Sequence, residues 1–454
     1  MKIVIIGAGI AGCAGYLELQ KHLPRPTKSD ESHEITIYEA YNTNLSIAAD
    51  ERTEEHTHSS TLLVGGGLGV APNGLNVLKR LDEELLKDVV RGGYVTAISN
   101  MKNKNGWPLF SMKSASSDDN SNNNNTNNRS PHMLATSRYS LWTALRGRIP
   151  DHRIVHKRIS QVVARPDGRN LIHFVDNSLP VEADLVIGAD GVRGTAKRAL
   201  FPDAEEDPYP PNYEGLVGVG GFIPAADVKD LVEPGSMNFV FGGNGFFGYF
   251  FSESSMSAAN RDSPYHVCEP GDSLAWWSTY EIEECPDRKT LDMDDVTRQL
   301  RERHANWKEP VVKKVIQSLE VENMYPTWTL PALPTWERDG VVLVGDAAHA
   351  LPSSSGQGSS QALEDVEALA LLLAHHLHMG NARLDEVTPK AQKNAIKAAA
   401  SQYVNLRQPH VNAILESAQH IQNRLFPGFM SNQMRTVTEY NIADDVARII
   451  ARDN

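Results

Sequence analysis

Short apolar runs separated by glycine turns dominate the two ends of this chain, and an aromatic, alternating pattern dominates its middle. Lys2–Ile6 is a β-branched run of the kind that forms a strand buried on both faces. A glycine-rich turn follows, then a helical stretch to about Leu23 that Pro24 and Pro26 break. Glu34–Tyr38 reads as a second strand ending at Glu39, which completes a βαβ opening. Val64–Leu81 turns through glycines into a helix, and Ser140–Arg148 reads as another. Strand-like alternation runs from Arg153 to Phe174, and Leu185–Ile187 and Val341–Val344 are again short buried strands. Between about Phe201 and Val321, aromatic and glycine-rich runs at Met237–Phe251 and Leu274–Tyr280 predict an antiparallel sheet. After Gly358 the pattern is helical to the end of the chain.

Two stretches show no period. Tyr41–Thr61 is polar and reads as a loop or insertion. Ser114–Ser130 has an Asn-rich core that buries too little apolar surface to order itself, so a disordered loop is expected there. The pattern divides the chain into a discontinuous α/β domain at 1–90, 131–200 and 325–400, and a β-sheet domain at 91–130 and 201–324. A helical segment at 401–454 completes it.

Composition narrows the function classes. The 454 residues are 41% apolar and 22% charged, an ordinary globular balance. A formal net charge of −13 argues against non-specific binding to nucleic acid, which needs clustered Lys and Arg. The three cysteines, Cys13, Cys268 and Cys285, lie far apart without metal spacing, as suits free thiols in a reducing compartment. No run approaches the ~20 apolar residues of a membrane helix, and the apolar start lacks a cleavage-like region, so a cytoplasmic protein is expected.

Three segments carry chemistry. In Gly7-Ala8-Gly9-Ile10-Ala11-Gly12, a strand precedes and a helix follows. Gly7 suits the tight turn, Gly9 lets backbone approach a pyrophosphate, and Gly12 lets the helix pack on the strand. The helix N-terminus, with Ile10 and Ala11, faces the phosphate charge. Glu39 is placed to accept bonds from ribose hydroxyls, somewhat later than the usual spacing of about 20 residues. Gly243–Gly248 fits the same glycine pattern but lies among aromatics with no helix after it, and is discarded. The second segment, DLVIGADGVRG at 184–194, has two open readings: a ligand turn bearing Asp190, or a strand-to-helix turn that Asp190 caps. The third runs from Val341 to Asp365. Its strand delivers Asp346 at the end where α/β ligand sites lie, and Asp346 suits a polyol hydroxyl. Pro352 and Gly356-Gln357-Gly358 bring bare backbone close to a flat ligand, and Ser359 or Ser360 suits the cap of the next helix. His349 reads as a structural histidine. His375, His376 and His378 share a helix, but adjacent positions face different ways, and no metal site is assigned.

Together these segments resemble the class A flavoprotein monooxygenases, the group of p-hydroxybenzoate hydroxylase and salicylate hydroxylase, in the right order over most of the chain. Weaker echoes are GGGLGVAPNGLNVLKRL, Arg138 before SLWTALRGRI, and GFFGYF followed by LAWWSTY. Departures are Gly194 where the family usually has Ser, and Val366 where it has Ala. The resemblance implies a Rossmann-like, three-layer ββα FAD-binding domain, with an inserted, mostly antiparallel substrate sheet and C-terminal helices. It implies FAD as cofactor and NADPH or NADH as transient co-substrate. The expected activity is hydroxylation or epoxidation of an aromatic or other electron-rich small molecule with O2, through a flavin C4a-hydroperoxide, in secondary metabolism or aromatic catabolism. It places Glu39 on the adenosine ribose, Arg138 and Asp190 near FAD, and Asp346 on the ribitol chain. Strand alternation puts Phe247, Tyr249 and Trp277 on a substrate face, with core packing as the competing reading. Tyr249 alone of these has a hydroxyl for catalysis. A monomer or homodimer is expected. Other flavoenzymes on the fold, a reductase, dehydrogenase or halogenase, stay open, as does a non-enzymatic escort-type protein; no WxWxIP stretch favours the halogenase.

Overall fold

The computed structural model describes residues 1–24, 33–43, 67–114, 130–243, 245–287, 290–319, 321, 323–382, 388–421 and 436–453. Most of the polar stretch at 41–61 and of the Asn-rich loop at 114–130 lies outside these residues.

The central sheet has six strands in the order β18 (Glu337–Arg338), β19 (Val341–Leu343), β12 (Leu185–Gly188), β1 (Lys2–Ile6), β2 (Glu34–Glu39) and β8 (Ile154–His156). All pairings are parallel except that of β18 with β19. Ile3, Val4, Ile5, Val186 and Val341 to Leu343 are each 2% exposed or less, in one core with Cys13, Ala14 and Leu19 of the first helix and with Val162, Ile172 and Ala183 of a flanking three-stranded sheet. Burial of each such side chain contributes roughly 1.5–3 kcal/mol. Two three-stranded sheets flank it: β11 (Val181–Ala183), β10 (Asn170–Phe174) and β9 (Ile159–Val163); and β3 (Gly67–Val70), β7 (Met133–Ser137) and β4 (Gly93–Thr96).

The largest sheet has seven strands: β17 (Met324–Thr329), β13 (Asn212–Pro224), β16 (Ser273–Glu281), β15 (Phe246–Phe251), β14 (Ser236–Phe241), β5 (Ile98–Asn103) and β6 (Pro108–Lys113). Its pairings are antiparallel, apart from β14 with β5. One face is covered by α5 (Met293–His304) and α6 (Pro310–Ser318), whose Val296, Leu300, Val311, Val312 and Val315 pack on Phe247, Tyr249, Phe251 and Trp276.

The remaining helices are α1 (Ile10–His22), α2 (Pro72–Leu81), α3 (Glu83–Arg91), α4 (Arg138–Arg146), the four-residue α7 (Asp346–His349), α8 (Gly358–Ala382), α9 (Pro389–Ile421) and α10 (Ile442–Asp453). Helix α8 packs against α1, α2, α9 and α10, so it is the spine of the helical layer. Among the described residues, no helix is long and apolar enough to cross a membrane.

Two expected boundaries differ in the structure. The division at 401 falls inside α9, which continues through it with Pro409 in its interior. Strand β4, expected in the β-sheet domain, pairs instead with β7, because the backbone of Gly93–Thr96 is matched to Met133–Thr136.

Candidate functional site

Hydrogen bonds join the ends of the central strands. Gly7 N donates to Tyr38 O at 2.8 Å, Ala189 N to Ile6 O at 2.9 Å, and Val344 N to Gly188 O at 3.0 Å. The three sequence motifs therefore meet at the carboxyl end of the central strands. Gly7 has φ +98°, and a Cβ there would stand 2.5 Å from Ala189 O. A Cβ on Gly12 would stand 1.9 Å from Gly7 O, so helix and turn are in direct backbone contact. Gly345, at φ +58°, sits against both Ala11 and Ala362, where a Cβ would approach within 3.2 Å. The first motif touches the second at Gly7 and the third at Ala11.

Small polar contacts fix the first turn. Glu39 is 4% exposed; its Oε2 accepts from Ala8 N at 2.6 Å and its Oε1 from Tyr41 N at 3.0 Å. Trp142 Nε1 and Cys13 Sγ both donate to Ala8 O. Burial pushes the Cys13 thiol up to about 12, so it packs as an inert group.

Asp190 takes the capping role. Its Oδ2 accepts from Thr195 N at 2.6 Å, Thr195 Oγ1 at 3.2 Å and Ala196 N at 3.0 Å. Its Oδ1 has no hydrogen-bond partner, and burial raises its pKa despite these bonds. A Cβ at Gly194 would lie 2.2 Å from Asp190 Oδ1, so this glycine lies directly against the Asp190 carboxylate.

A buried charge network that sequence reading missed holds the third turn. Arg407 on α9 is fully buried. Its Nε donates to Asp365 Oδ1 at 2.9 Å, Nη1 to Glu364 Oε2 at 2.7 Å and Nη2 to Gln361 Oε1 at 2.5 Å. Asp365 Oδ2 in turn accepts from Gly345 N at 2.9 Å and meets His349 Nε2 at 2.5 Å. His349 is thus a structural residue that anchors the turn bearing Asp346. Burial pushes Glu364 up to about 7 against the pull of Arg407. Asp365 is held down at about 2, because His349 and Arg407 outweigh its burial. The signal in the sequence was the pair Glu364-Asp365 within an apolar helix, since two buried carboxylates require cationic partners.

The loop before α8 is pinned by the same cluster. Asn73 Nδ2 donates to Glu364 Oε1 at 2.7 Å and to Gln357 Oε1 at 3.2 Å, so the Gln357 side chain is directed into the protein. Ser359 and Ser360 do not precede the helix as caps. Helix α8 begins at Gly358, and their hydroxyls bond Gly69 O and Ala71 N instead. Asp346 is exposed, and Arg138 opens α4 at half-burial. Pro352 is buried beside the loop.

These residues fit FAD. Ideal Cβ positions at Gly9, Gly191, Gly356 and Gly358 meet nothing within 4 Å, while those at Gly7 and Gly12 collide with backbone. Open space therefore lies where a pyrophosphate and a flat ring would run, and closed packing lies behind it. The N-terminus of α1 carries no side-chain cap, which leaves its N–H groups for an anion.

The substrate residues require a correction. Register pairs Gly248 with Trp277 and Tyr249 with Trp276, so Tyr249 and Trp277 lie on opposite faces of the sheet. Phe247 and Tyr249 are fully buried under α5 and α6. Tyr249 OH donates to Glu309 Oε1 at 2.8 Å and accepts from Lys102 Nζ at 2.9 Å. Burial, reinforced by Glu309, raises its pKa far beyond the usual tyrosine value. Core packing is the reading that fits both residues, and Tyr249 has no access to a reacting atom from this face. Trp277 lies on the other face, its ring over Gly248, with Phe239, Phe246 and Phe250 at centroid distances of 5.7, 6.3 and 5.7 Å.

Fold and site define a flavin-dinucleotide oxidoreductase. A match to the family described as FAD binding domain covers residues 173–402, just over half of the chain. The chain is 26% identical over 362 residues to 3-amino-4-hydroxybenzoate 2-monooxygenase of Streptomyces cremeus, covering 79% of this chain and 77% of that one. It is 23% identical over 373 residues to 6-hydroxynicotinate 3-monooxygenase of Pseudomonas fluorescens, covering 82% of each. The solved salicylate hydroxylase substrate complex superposes with a TM-score of 0.69 at 17% identity, over 98% of this chain and 97% of that one. The chain belongs to the FAD binding domain family, in its class A monooxygenase branch. It is an FAD-dependent monooxygenase that draws electrons from NADPH or NADH.

Proposed function

We propose that this monooxygenase hydroxylates a flat, electron-rich aromatic molecule lying against the uncovered face of the seven-stranded sheet. The observation that carries this reading is the Trp277 shelf. Trp277, Phe239 and Phe246 remain only partly buried, whereas the aromatics on the helix-covered face are sealed. Partly exposed aromatic surface beside a cofactor cradle is where a flat ligand gains most from burial. Phe250 belongs to the same face and reaches the dinucleotide side, since its ring fills the space beside Gly67 in β3. The relatives point the same way: two act, by name, on hydroxylated aromatic acids.

Bound FAD supplies the redox chemistry, accepting hydride from the nicotinamide and using O2. The chain's own work is holding and shielding. In this reading Gly7, Gly9, Ile10, Ala11 and Gly12 hold the pyrophosphate at the start of α1, and Glu39 holds the adenosine ribose. Asp346 binds the ribitol hydroxyls, with Arg138 and Asp190 nearby. Pro352 and Gly356 to Gly358 back the ring, and the N-terminus of α8 favours negative charge on its pyrimidine side. Gln357 contributes backbone only. No step here is assigned to a side-chain base.

The test is the visible spectrum of the purified protein, identification of the cofactor released on denaturation, and nicotinamide oxidation with a panel of phenols and hydroxylated aromatic acids. FAD release with substrate-accelerated oxidation supports the reading. A flavin-bearing protein that no aromatic accelerates removes the substrate class and leaves the cofactor site standing. Trp277→Ala is expected to raise KM about five- to tenfold with bound FAD unchanged, the loss of roughly 1–1.5 kcal/mol of aromatic contact.

A further inference from the structure

Helix α8 carries a second cluster of chemistry at its other end. His375 lies 17 residues beyond Gly358, about 25 Å along the helix at 1.5 Å per residue, so it is remote from the flavin cradle. Adjacent helical positions diverge, yet the rings of His375 and His376 stand with centroids 5.1 Å apart. The C-terminal α10 brings Asp453 against them. One ring nitrogen from each histidine and one Asp453 carboxylate oxygen lie within 4.8 Å of one another.

The His375 side chain is 9% exposed, and its Nε2 has no hydrogen-bond partner. That nitrogen faces Asp453 Oδ2 at 3.8 Å, beyond hydrogen-bond reach. A buried polar atom without a partner asks for an explanation, and an ion is one. Gln402 on α9 bridges the other two groups: its Oε1 meets His376 Nε2 at 2.8 Å, and its Nε2 donates to Asp453 Oδ2 at 2.7 Å.

We propose that His375, His376 and Asp453 form a binding site for a divalent transition-metal ion of the zinc class, with Gln402 orienting the ligands. Two imidazoles and one carboxylate are a donor set that suits Zn²⁺, which imposes no strict geometry of its own. Zinc–ligand distances of about 2.0–2.1 Å place neighbouring donors roughly 3.4 Å apart, so His375 Nε2 and Asp453 Oδ2, at 3.8 Å, are nearly in place and no pair of the trio needs to close by more than about 1.4 Å. Asp453 has the freedom to do this, being in the last turn of α10 and one-third exposed. The fourth position is left to water. The bound ion would clamp α8, α9 and α10 together without touching the redox chemistry.

The test is titration of the flavin-loaded, full-length protein with Zn²⁺ alone, by calorimetry. The wild type is expected to bind one ion that the His375→Ala/His376→Ala double variant does not bind. Gln402→Ala is expected to weaken it by about 10–100-fold. Asp453→Asn, at the exposed helix end, removes a ligand without disturbing packing and is expected to weaken binding at least tenfold. An unchanged flavin spectrum in each variant reports an intact fold. Co²⁺ in place of Zn²⁺ should give visible bands that the double variant lacks. A wild type that takes up no Zn²⁺, or uptake that neither the double variant nor Asp453→Asn alters, overturns the site.

Discussion

The two turns that frame the flavin cradle are built on different principles. The Gly7–Gly12 turn takes its path from its own glycines, while Glu39 and Trp142, 31 and 134 residues from Ala8, hold it through the Ala8 backbone. The Gly345–Gly358 turn is remote-controlled. Its position depends on Asp365, which depends on Arg407, 42 residues further along the chain. The path of the first is set by glycine sterics within a dozen residues, even though distant groups hold it in place. The second is specified by charges that are costly to bury unless all of them meet.

The largest expected effect breaks the remote device. Arg407→Met leaves Glu364 and Asp365 buried without their cation and should lower unfolding stability by about 3–5 kcal/mol. Denaturant titration measures it; a loss below about 1 kcal/mol would mean that the network does not hold the turn. Gly12→Ala attacks the local device. Its Cβ would lie 1.9 Å from Gly7 O, so helix and turn must separate. About 3 kcal/mol of overpacking strain is expected, with loss of bound flavin; retention of flavin at wild-type stability would show that the contact relaxes freely.

The remote device should also be the pH-sensitive one. His410, three residues beyond Arg407, stacks on Tyr440 at 4.1 Å. Burial, with Arg407 adding to it, pushes its pKa down to about 4 from an ordinary value of 6.5. The unfolded chain therefore takes up a proton first as pH falls. This contribution is complete above about 6.5 and is lost on descent to about 4. With its partial exposure discounted, it amounts to about 1–2 kcal/mol. A His410→Phe variant should flatten that part of the stability profile; an unchanged profile would exclude His410 as its source.

The smallest effect sharpens the contrast. Gly9→Ala adds a methyl into open space, so stability of the flavin-free protein should hold within about 0.5 kcal/mol. FAD affinity should nevertheless fall about tenfold, because the methyl occupies the pyrophosphate approach. Equal affinities for FAD would move the pyrophosphate away from Gly9.

The sequence by itself determined the strands of the parallel sheet, the first turn and the positions of all three motifs. Each of these is encoded within a short window, by apolar runs for two-sided burial and by glycine where no Cβ fits. The tertiary structure alone decided the rest. Alternation along β15 and β16 shows that faces exist, but only the pairing of Gly248 with Trp277 shows which residues share one. Likewise the Glu364-Asp365 pair announces a need for a cation, and only the docking of α9 on α8 supplies Arg407. Partners far apart in sequence are chosen by packing, and a one-dimensional pattern carries their need without their address.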